Sequence, residues 1–445
     1  MRDEKELKAM ADLALAHSRA SQTEVLLFVT DSALTRFANN HIHQNVAERN
    51  ASLMVRAAVG RRIGVASSNI VAPQGVKDTV ERAGELARLA PENPDFISLP
   101  PPAPIRSAEA YFPATARFGP QERATAVGVI CGQSKEKELV ASGAFSVATS
   151  QMVVANSLGV FAHHMETVAE LSAVIKSLSS SGYAHRLALD VSQIDPVKVA
   201  QEAIDKAVRG QDPTPLEPGE YEVILEEYAV SDILDALAYL GFSALAVQEG
   251  RSFMAGRLGQ RVVGENITIW DDGLGAATVP MPFDFEGVPK ERVDLIADGV
   301  ARGVCYDSYT AGKEGRVSTG HALPPGETFG PVPLNLFLKE GQATKEEMIA
   351  STQRGVYVTR FWYTRPVEPM TVTITGMTRD GTFLVEKGEI TRPIRNLRFT
   401  QSYLDVLRQV ELIGRESKLE RTGFSYNRVP ALKVGRFNFT GATEF

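Results

Sequence analysis

The chain has 445 residues, a formal net charge of −7 and 23% charged residues. This length exceeds one ordinary hydrophobic core, so the sequence predicts two or three domains. The mild acidity argues against a nucleic-acid surface, which needs a basic face to neutralise phosphates. No apolar run is long enough to cross a bilayer, so we expect no membrane-spanning segment.

The N-terminus and the cysteines bear on the compartment. The first ten residues, MRDEKELKAM, are rich in charge and lack the apolar stretch of a signal peptide. Cys131 and Cys305 lie far apart in sequence, and without an export signal free thiols are favoured over a disulfide. We therefore expect a cytoplasmic protein.

The first half of the chain alternates helices with strands. Helices are predicted over residues 4–19, 73–90, about 120–137 and after Asp195-Pro196. Segments of alternating hydrophobicity between them, such as TEVLLFVTDSALTRF, predict antiparallel strands. This helix–strands–helix pattern occurs about twice, which is compatible with an internal duplication.

A domain boundary is predicted near residue 212. The stretch RGQDPTPLEPGEYE, residues 209–222, holds three prolines and two glycines and almost no large apolar residue. This composition is typical of a linker. It divides the chain into an N-terminal domain, 1–212, and a C-terminal domain, 213–445.

The C-terminal domain is predicted to be rich in strands around one central helix, 231–248. Ser231 and Asp232 are in a position to cap this helix, and apolar residues dominate up to Val247. Gly241 breaks the run, so a bent pair of helices is the alternative. From Tyr357 onward the chain alternates strongly, which predicts a mostly antiparallel sheet or barrel. The predicted fold class is therefore α+β.

Short turn and cap signals divide the later segments. Asp380-Gly381 and Lys387-Gly388 each have the composition of a hairpin turn between alternating stretches. Thr344 followed by Glu347 forms a capping box, which predicts a short helix over 344–354.

The central helix lacks the residues of a hydrolytic metal helix. Such a helix needs two histidines to hold the ion and a glutamate to activate water. No histidine occurs between His185 and His321. The residues alone therefore indicate a packing helix.

Cys305, Asp307 and His321 offer an alternative chemistry. A thiol–imidazole pair can attack an amide once the thiolate forms. These three residues lie in neighbouring segments, but nothing in the sequence fixes their geometry. An independent peptidase or hydrolase is thus a second hypothesis for the chain.

Seven segments, in this order along the chain, resemble the TldD/PmbA family, whose members are also called modulators of DNA gyrase. The segments are TRFANNHIHQNV, ANSLGV, SFMAGRLGQRV, FDFEGVPKERVDLIADGV, GRVSTGHALP, EMIASTQRGVYVTR and FLVEKGEITRPIRNLRF. The resemblance implies a fold and an activity. One branch, TldD, looks like a zinc peptidase with an HExxxH helix and a later cysteine ligand. It works on unfolded peptides with a paralogue, TldE, that lacks these ligands.

The family's metal ligands are missing from this chain. Counted back from SFMAGRLGQ, the first histidine, the glutamate and the second histidine fall on Asp235, Ala236 and Leu240. The third ligand is expected in RESKLERTG, which contains no cysteine. The chain therefore resembles the TldE/PmbA branch, which implies no metal and no cofactor.

The resemblance also implies partners. We expect a non-catalytic partner or scaffold subunit, either a homodimer or a heterodimer with a TldD-type zinc peptidase, that holds unfolded peptide. The loop formed by Ser318, Thr319, Gly320 and His321 is the expected substrate-binding segment. VPLNLFLKE and VTRFWYTRPVEPM have large apolar residues typical of interface loops, and burial within the monomer is the alternative for each. A role in regulating gyrase is suggested only by the family's older name, and the negative net charge of the chain argues against it.

Overall fold

Two β-sheets, one in each half of the chain, organise the fold. The structure is a computed structural model that describes residues 3–275, 277–423 and 425–443. The first sheet has six antiparallel strands, and the second has eleven strands of mixed direction. Helices pack against both sheets, which confirms the predicted α+β class.

The first half contains two successive sets of a helix, three strands and a helix. The first set is α1 (Glu4–His17), β1 (Gln22–Ala38), β2 (His41–Val59), β3 (Arg62–Ser68) and α2 (Pro73–Leu89). After a short helix, α3 (Pro113–Ala116), the second set is α4 (Pro120–Glu136), β4 (Val140–Asn156), β5 (Phe161–Lys176), β6 (Ser181–Ala188) and α5 (Pro196–Arg209). The strand order β3-β2-β1-β4-β5-β6 is symmetric about the β1–β4 pair. A duplication would produce this symmetry, but the duplication itself stays a prediction.

Prolines and a capping aspartate fix the helix starts in this half. Pro73, Pro120 and Pro196 occupy the first turn of their helices, where a missing N–H costs no hydrogen bond. The Asp195 carboxylate accepts hydrogen bonds from the backbone N–H groups of Val197 and Lys198. These are local signals, and the predicted helices of this half lie within three residues of the observed ones.

The second half begins with β7 (Gly219–Leu225), α6 (Glu227–Leu240) and α7 (Ala244–Gln248). Short elements follow: β8 (Ile269–Asp271), β9 (Val293–Ala297), β10 (Val300–Ala301), α8 (Ser308–Lys313), β11 (Asn335–Leu338) and α9 (Lys345–Ala350). The last group is β12 (Arg354–Glu368), β13 (Thr373–Glu386), β14 (Glu389–Pro393), β15 (Leu397–Ser402), α10 (Tyr403–Arg408), β16 (Val410–Thr422) and β17 (Ser425–Ala442). The predicted boundary near residue 212 lies between α5 and β7, and the division into domains stays a prediction.

Five strands of the second sheet close into a barrel. The path runs β17-β15-β13-β12-β7, and β7 pairs again with β17. Most strand pairs are antiparallel, as predicted, but the sheet is mixed because β7 runs parallel to β12 and β11 runs parallel to β17. Alternating hydrophobicity reports which face a side chain occupies and not the strand's direction. Helix α6 packs against β17, β12 and β16, as predicted for a central helix.

The central helix differs in its bounds from the predicted 231–248. It begins at Glu227, and a break at Gly241 separates α6 from α7, as in the bent-pair alternative. Ser231 is therefore an interior residue, and its hydroxyl lies 2.6 Å from that of Thr422. Asp232 accepts hydrogen bonds from Tyr403 and Thr364 instead of capping the helix. Both polar side chains therefore bind tertiary partners from inside the helix, and neither caps its N-terminus.

Asp380-Gly381 is not the predicted hairpin turn. Strand β13 continues through it, and the pairing register with β12 shifts between Val358 and Arg360. The positive φ of Asp380, 55°, fits this bulge, and its carboxylate is paired with Arg360. The turn predicted at Lys387-Gly388 does connect β13 to β14, and the Thr344–Glu347 capping box is confirmed at the start of α9. Across the described ranges, no helix is both long and apolar enough to span a bilayer.

Candidate functional site

The three positions that the resemblance assigns to a metal helix lie on different sides of α6. Leu240 is buried in the core of the second half, and Ala236 packs against that core. Asp235 instead faces the hairpin between β16 and β17. Residues five apart on an ideal helix are separated by about 140°, so these positions do not converge on one point.

Asp235 lies against the segment in which the family's third ligand is expected. A Cβ atom on Gly423 would be 2.6 Å from a carboxylate oxygen of Asp235, so the turn's backbone is close to the carboxylate. The Ser425 hydroxyl is 3.2 Å from the same carboxylate. Helix α6 and the β16–β17 hairpin therefore meet at this point.

Hydrogen bonds continue from Asp235 through the hairpin back to α6. The Ser425 hydroxyl is also 3.0 Å from Oδ1 of Asn427. The Asn427 amide donates to the Ser231 hydroxyl at 3.0 Å, and that hydroxyl is 2.6 Å from the hydroxyl of Thr422. We call this set, Asp235, Ser425, Asn427, Ser231 and Thr422, the α6 hydrogen-bond network.

This network does not fit a zinc ion. Zinc in proteins is held by thiolates, imidazoles and carboxylates, usually four in number. The α6 hydrogen-bond network offers one carboxylate, three hydroxyls and an amide. Within the part of the chain that the structure describes, no group of three or more His, Cys, Asp or Glu side chains is placed to hold a metal.

A cavity of about 380 Å³ opens beside Asp235, and we call it the α6 cavity. Its walls are mostly apolar, and its charged members are Asp235 and Glu327. The rings of Tyr239 and Phe329 lie 5.2 Å apart on one side. The other lining residues are Ala238, Phe285, Leu323, Pro324, Val332, Leu334 and Ser425. Such a surface can accept apolar side chains, and its two carboxylates can accept hydrogen bonds from a ligand.

The loop from Ser318 to His321 is held by bonds within the chain. The Ser318 hydroxyl donates to the Tyr306 carbonyl, and the Thr319 hydroxyl lies 2.9 Å from Nδ1 of His321. Gly320 has a φ of 74°, and a Cβ there would be 2.4 Å from the Pro289 carbonyl oxygen. The residues just after the loop, Leu323 and Pro324, line the α6 cavity. Substrate binding by the loop itself stays a prediction.

Cys305, Asp307 and His321 do not form a nucleophile–base pair. Both ring nitrogens of His321 are engaged, Nε2 at 2.8 Å from Asp271 and Nδ1 with Thr319. Burial, with the nearby Asp271 charge, raises the pKa of the Cys305 thiol well above its usual value. Asp307 caps α8 by accepting from the Thr310 backbone N–H. The thiol is therefore kept protonated, and the His321 imidazole is engaged by Asp271 and Thr319.

A buried ionic cluster near Cys305 was missed in the sequence. The Lys290 ammonium lies 3.3 Å from the Asp271 carboxylate, and both side chains are fully buried with His321. The cluster connects β8, the 280–290 loop and the Ser318–His321 loop. The three residues are far apart in sequence, so no local signal could have identified it.

The comparisons with known proteins identify the family and the fold. The family model of the PmbA/TldA metallopeptidase C-terminal domain matches residues 218–441, and that of domain 1 matches residues 23–87. The solved structure of TldE from Thermococcus kodakarensis covers 98% of this chain and 100% of its own, with a TM-score of 0.89 at 20% identity. At this identity the likeness concerns the fold.

Curated relatives are similar over different lengths. A metalloprotease TldD homolog of Haemophilus influenzae is 28% identical over 180 residues, which are 38% of this chain and 35% of that protein. The metalloprotease PmbA of Escherichia coli is 24% identical over 425 residues, 91% of this chain and 90% of the other. For seven relatives the match spans less than half of their own length. The extent of the family-model match shows that the chain belongs to the PmbA/TldD family of metallopeptidase-related proteins.

Proposed function

We propose that the chain is a non-catalytic, TldE/PmbA-type subunit that holds unfolded peptide for a TldD-type zinc peptidase. The observation that carries this proposal is the α6 hydrogen-bond network, in which Asp235, at one of the family's ligand positions, is surrounded by hydroxyl and amide groups. An apolar cavity lies directly beside it. A subunit with this arrangement can bind peptide but has no water-activating ion of its own.

The α6 cavity continues into a second cavity of about 480 Å³, with which it shares Leu323, Pro324 and Glu327. The second cavity reaches Arg56 on β2 and Ser308 on α8, so the two together cross from the second half of the chain to the first sheet. Unfolded segments expose apolar side chains that folded proteins bury. An elongated, largely apolar groove suits such a ligand.

A partner surface is also part of the proposal. Of the two predicted interface segments, VPLNLFLKE contains β11, whose apolar side chains are buried within the chain. The other, VTRFWYTRPVEPM, exposes Trp362, Tyr363, Val367 and Met370, with Tyr363 66% exposed. Clustered exposed apolar side chains are typical of protein interfaces. We therefore assign the partner contact, in a homodimer or a TldD-type heterodimer, to residues 362–370.

Sedimentation equilibrium tests the partner surface. The pure chain, alone and mixed with a TldD-type subunit, should form a dimer at tens of micromolar. A Tyr363→Ser, Val367→Ser variant should weaken that association, whereas Leu178→Ser, at an exposed apolar residue of the β5–β6 turn, should not. A monomer under both conditions would contradict the proposal.

Peptide cleavage tests the groove. The chain alone should not hydrolyse an unfolded substrate such as casein, and adding it to a TldD-type subunit should increase cleavage. Changing Tyr239 and Phe329 to Ala should remove much of that increase, because the cavity then has less apolar surface to contact the peptide. Cleavage by the chain alone that is lost in Cys305→Ala would favour the independent-peptidase hypothesis instead.

A further inference from the structure

A separate cavity of about 290 Å³ lies between the first sheet and the loop around residue 280. We call it the sheet cavity. Phe28 and Met152 of the first sheet and Met281 and Phe285 of the loop form its apolar walls. It touches the α6 cavity at Phe285 and Leu334 but does not include Asp235.

Asn335 lines this cavity and has a buried acceptor atom without a hydrogen-bond partner among the described residues. The side-chain amide nitrogen donates to the Val279 carbonyl at 2.7 Å and lies 3.2 Å from the Thr278 hydroxyl. A carbonyl can only accept, so this contact fixes the orientation of the amide. Oδ1 is then left without a hydrogen-bond partner among the described residues, although Asn335 is only 1% exposed.

His164 adds a second buried polar atom to the same cavity. It is 8% exposed, and within the described ranges its Nε2 atom has no hydrogen-bond partner. The Glu166 carboxylate, which is also part of the lining, lies 3.7 Å from this Nε2 atom, beyond hydrogen-bond distance. A buried polar atom that loses its hydrogen bond costs about 1–3 kcal/mol, so two in one cavity require an explanation.

We infer that the sheet cavity binds a primary ammonium group attached to an apolar side chain, as in an apolar amino acid or the first residue of a peptide. Two polar groups of the lining, Asn335 Oδ1 and the Glu166 carboxylate, can only accept hydrogen bonds. The Nε2 atom of His164 supplies a third acceptor when the ring carries its proton on Nδ1, and three acceptors match the three N–H groups of an ammonium. The charge of Glu166 compensates that of the ligand.

The apolar walls define the rest of the ligand. Two phenylalanines and two methionines surround the polar end, and methionine adapts well to side chains of different shape. The volume is at the lower end of the range of ligand pockets, about 300–1,000 Å³, so one residue fits better than an extended segment. Arg421, the exposed member of the lining, marks the opening to solvent. The inference does not require peptide cleavage or a partner subunit.

Isothermal titration of the full chain tests this inference. L-Leucinamide should bind, and N-acetyl-L-leucinamide, which has the same side chain without the ammonium, should not. Glu166→Gln keeps the shape of the side chain but removes its charge, and it should weaken L-leucinamide binding by about tenfold or more. The matched control is Glu48→Gln, at an exposed carboxylate of β2 outside this cavity, and it should change nothing.

Two further ligands separate the sources of the ammonium. Tighter binding of Leu-Gly-Gly than of free L-leucine would assign the site to peptide N-termini, and the reverse order to free amino acids. Three results would overturn the inference: equal binding of the acetylated compound, no binding at millimolar concentration, or unchanged affinity in Glu166→Gln. A crystal structure grown with L-leucinamide that shows only ordered water at Asn335 and His164 would also overturn it.

Discussion

The Nδ1 atom of His185 lies 2.6 Å from a carboxylate oxygen of Glu420. The two residues belong to different sheets, since His185 is on β6 and Glu420 is on β16. The other ring nitrogen lies 3.1 Å from Glu170 on β5. Burial lowers the pKa of His185, but the charges of Glu420 and Glu170 outweigh it and raise the pKa to about 9. A buried imidazolium thus links the two halves of the chain.

This link should make stability depend on pH. The pKa of His185 in the unfolded chain is about 6.5, so its contribution is fully present below pH 6.5 and is lost as the pH rises through about 9. We expect the melting temperature to fall across this interval. The contribution is on the order of 3 kcal/mol at most, from the size of the pKa shift.

Substitution of His185 isolates this effect from other titrating groups. His185→Gln should be less stable than the natural protein near pH 6, and its melting temperature should fall less between pH 6.5 and pH 9. His17→Gln is the matched control, because His17 pairs with Glu81 at 2.8 Å on the exposed surface. Parallel pH profiles for His185→Gln and the natural protein would contradict the assignment.

The α6 hydrogen-bond network predicts that the chain holds no stoichiometric zinc at its central helix. Asp235 is the one carboxylate of that network, and its neighbours are hydroxyls and an amide. Elemental analysis after exposure to zinc and extensive dialysis should find far less than one equivalent, with no difference in Asp235→Ala. One tightly held equivalent that disappears in Asp235→Ala would show that the network does bind the metal.

Local signals in the sequence were sufficient for the first half of the fold. Pro73, Pro120 and Asp195-Pro196 fix helix starts through the chain's own backbone geometry, and these helices were predicted closely. The start of α6 was missed because Glu226 precedes the helix and Glu227 begins it. Those carboxylates are buried against Lys206 and Lys345, each at 2.8 Å, and such distant partners leave no trace in a local pattern.

At the candidate site, too, the sequence could not reveal contacts between residues that are far apart in the chain. The family resemblance assigned the ligand positions to Asp235, Ala236 and Leu240, and this assignment stays a prediction. It could not show that Ser425, 190 residues away, lies beside Asp235. The sheet cavity was also missed, because His164 and Asn335 come from different sheets and meet only in the folded chain.

The two cysteines should be unreactive in the folded protein. Both are buried, and burial raises the pKa of each thiol, Cys305 the more strongly. Since the thiolate is the reactive form, titration with a disulfide reagent should be slow in the native state and should reach two thiols after denaturation. Rapid modification of one thiol, lost in Cys305→Ala but not in Cys131→Ala, would revive the alternative built on Cys305, Asp307 and His321.

Gly241 should be required where α6 ends. A Cβ atom there would lie 2.0 Å from the ring of Phe253, which is buried in the core. Overpacking of this kind costs about 1–3 kcal/mol, which exceeds the gain of at most about 1 kcal/mol from replacing a flexible glycine. Gly241→Ala should therefore lower the free energy of unfolding measured by chemical denaturation.

Gly128 provides the matched control for this substitution. It is an exposed residue inside α4, and a Cβ atom there would meet nothing within 4 Å. Gly128→Ala should be neutral or stabilising by up to about 1 kcal/mol, because alanine is the better helix former. A Phe253→Leu change should cost less in the Gly241→Ala background than alone, since the smaller side chain makes room for the added methyl group. Equal stability of the two alanine variants would mean that the chain near Phe253 relaxes without cost.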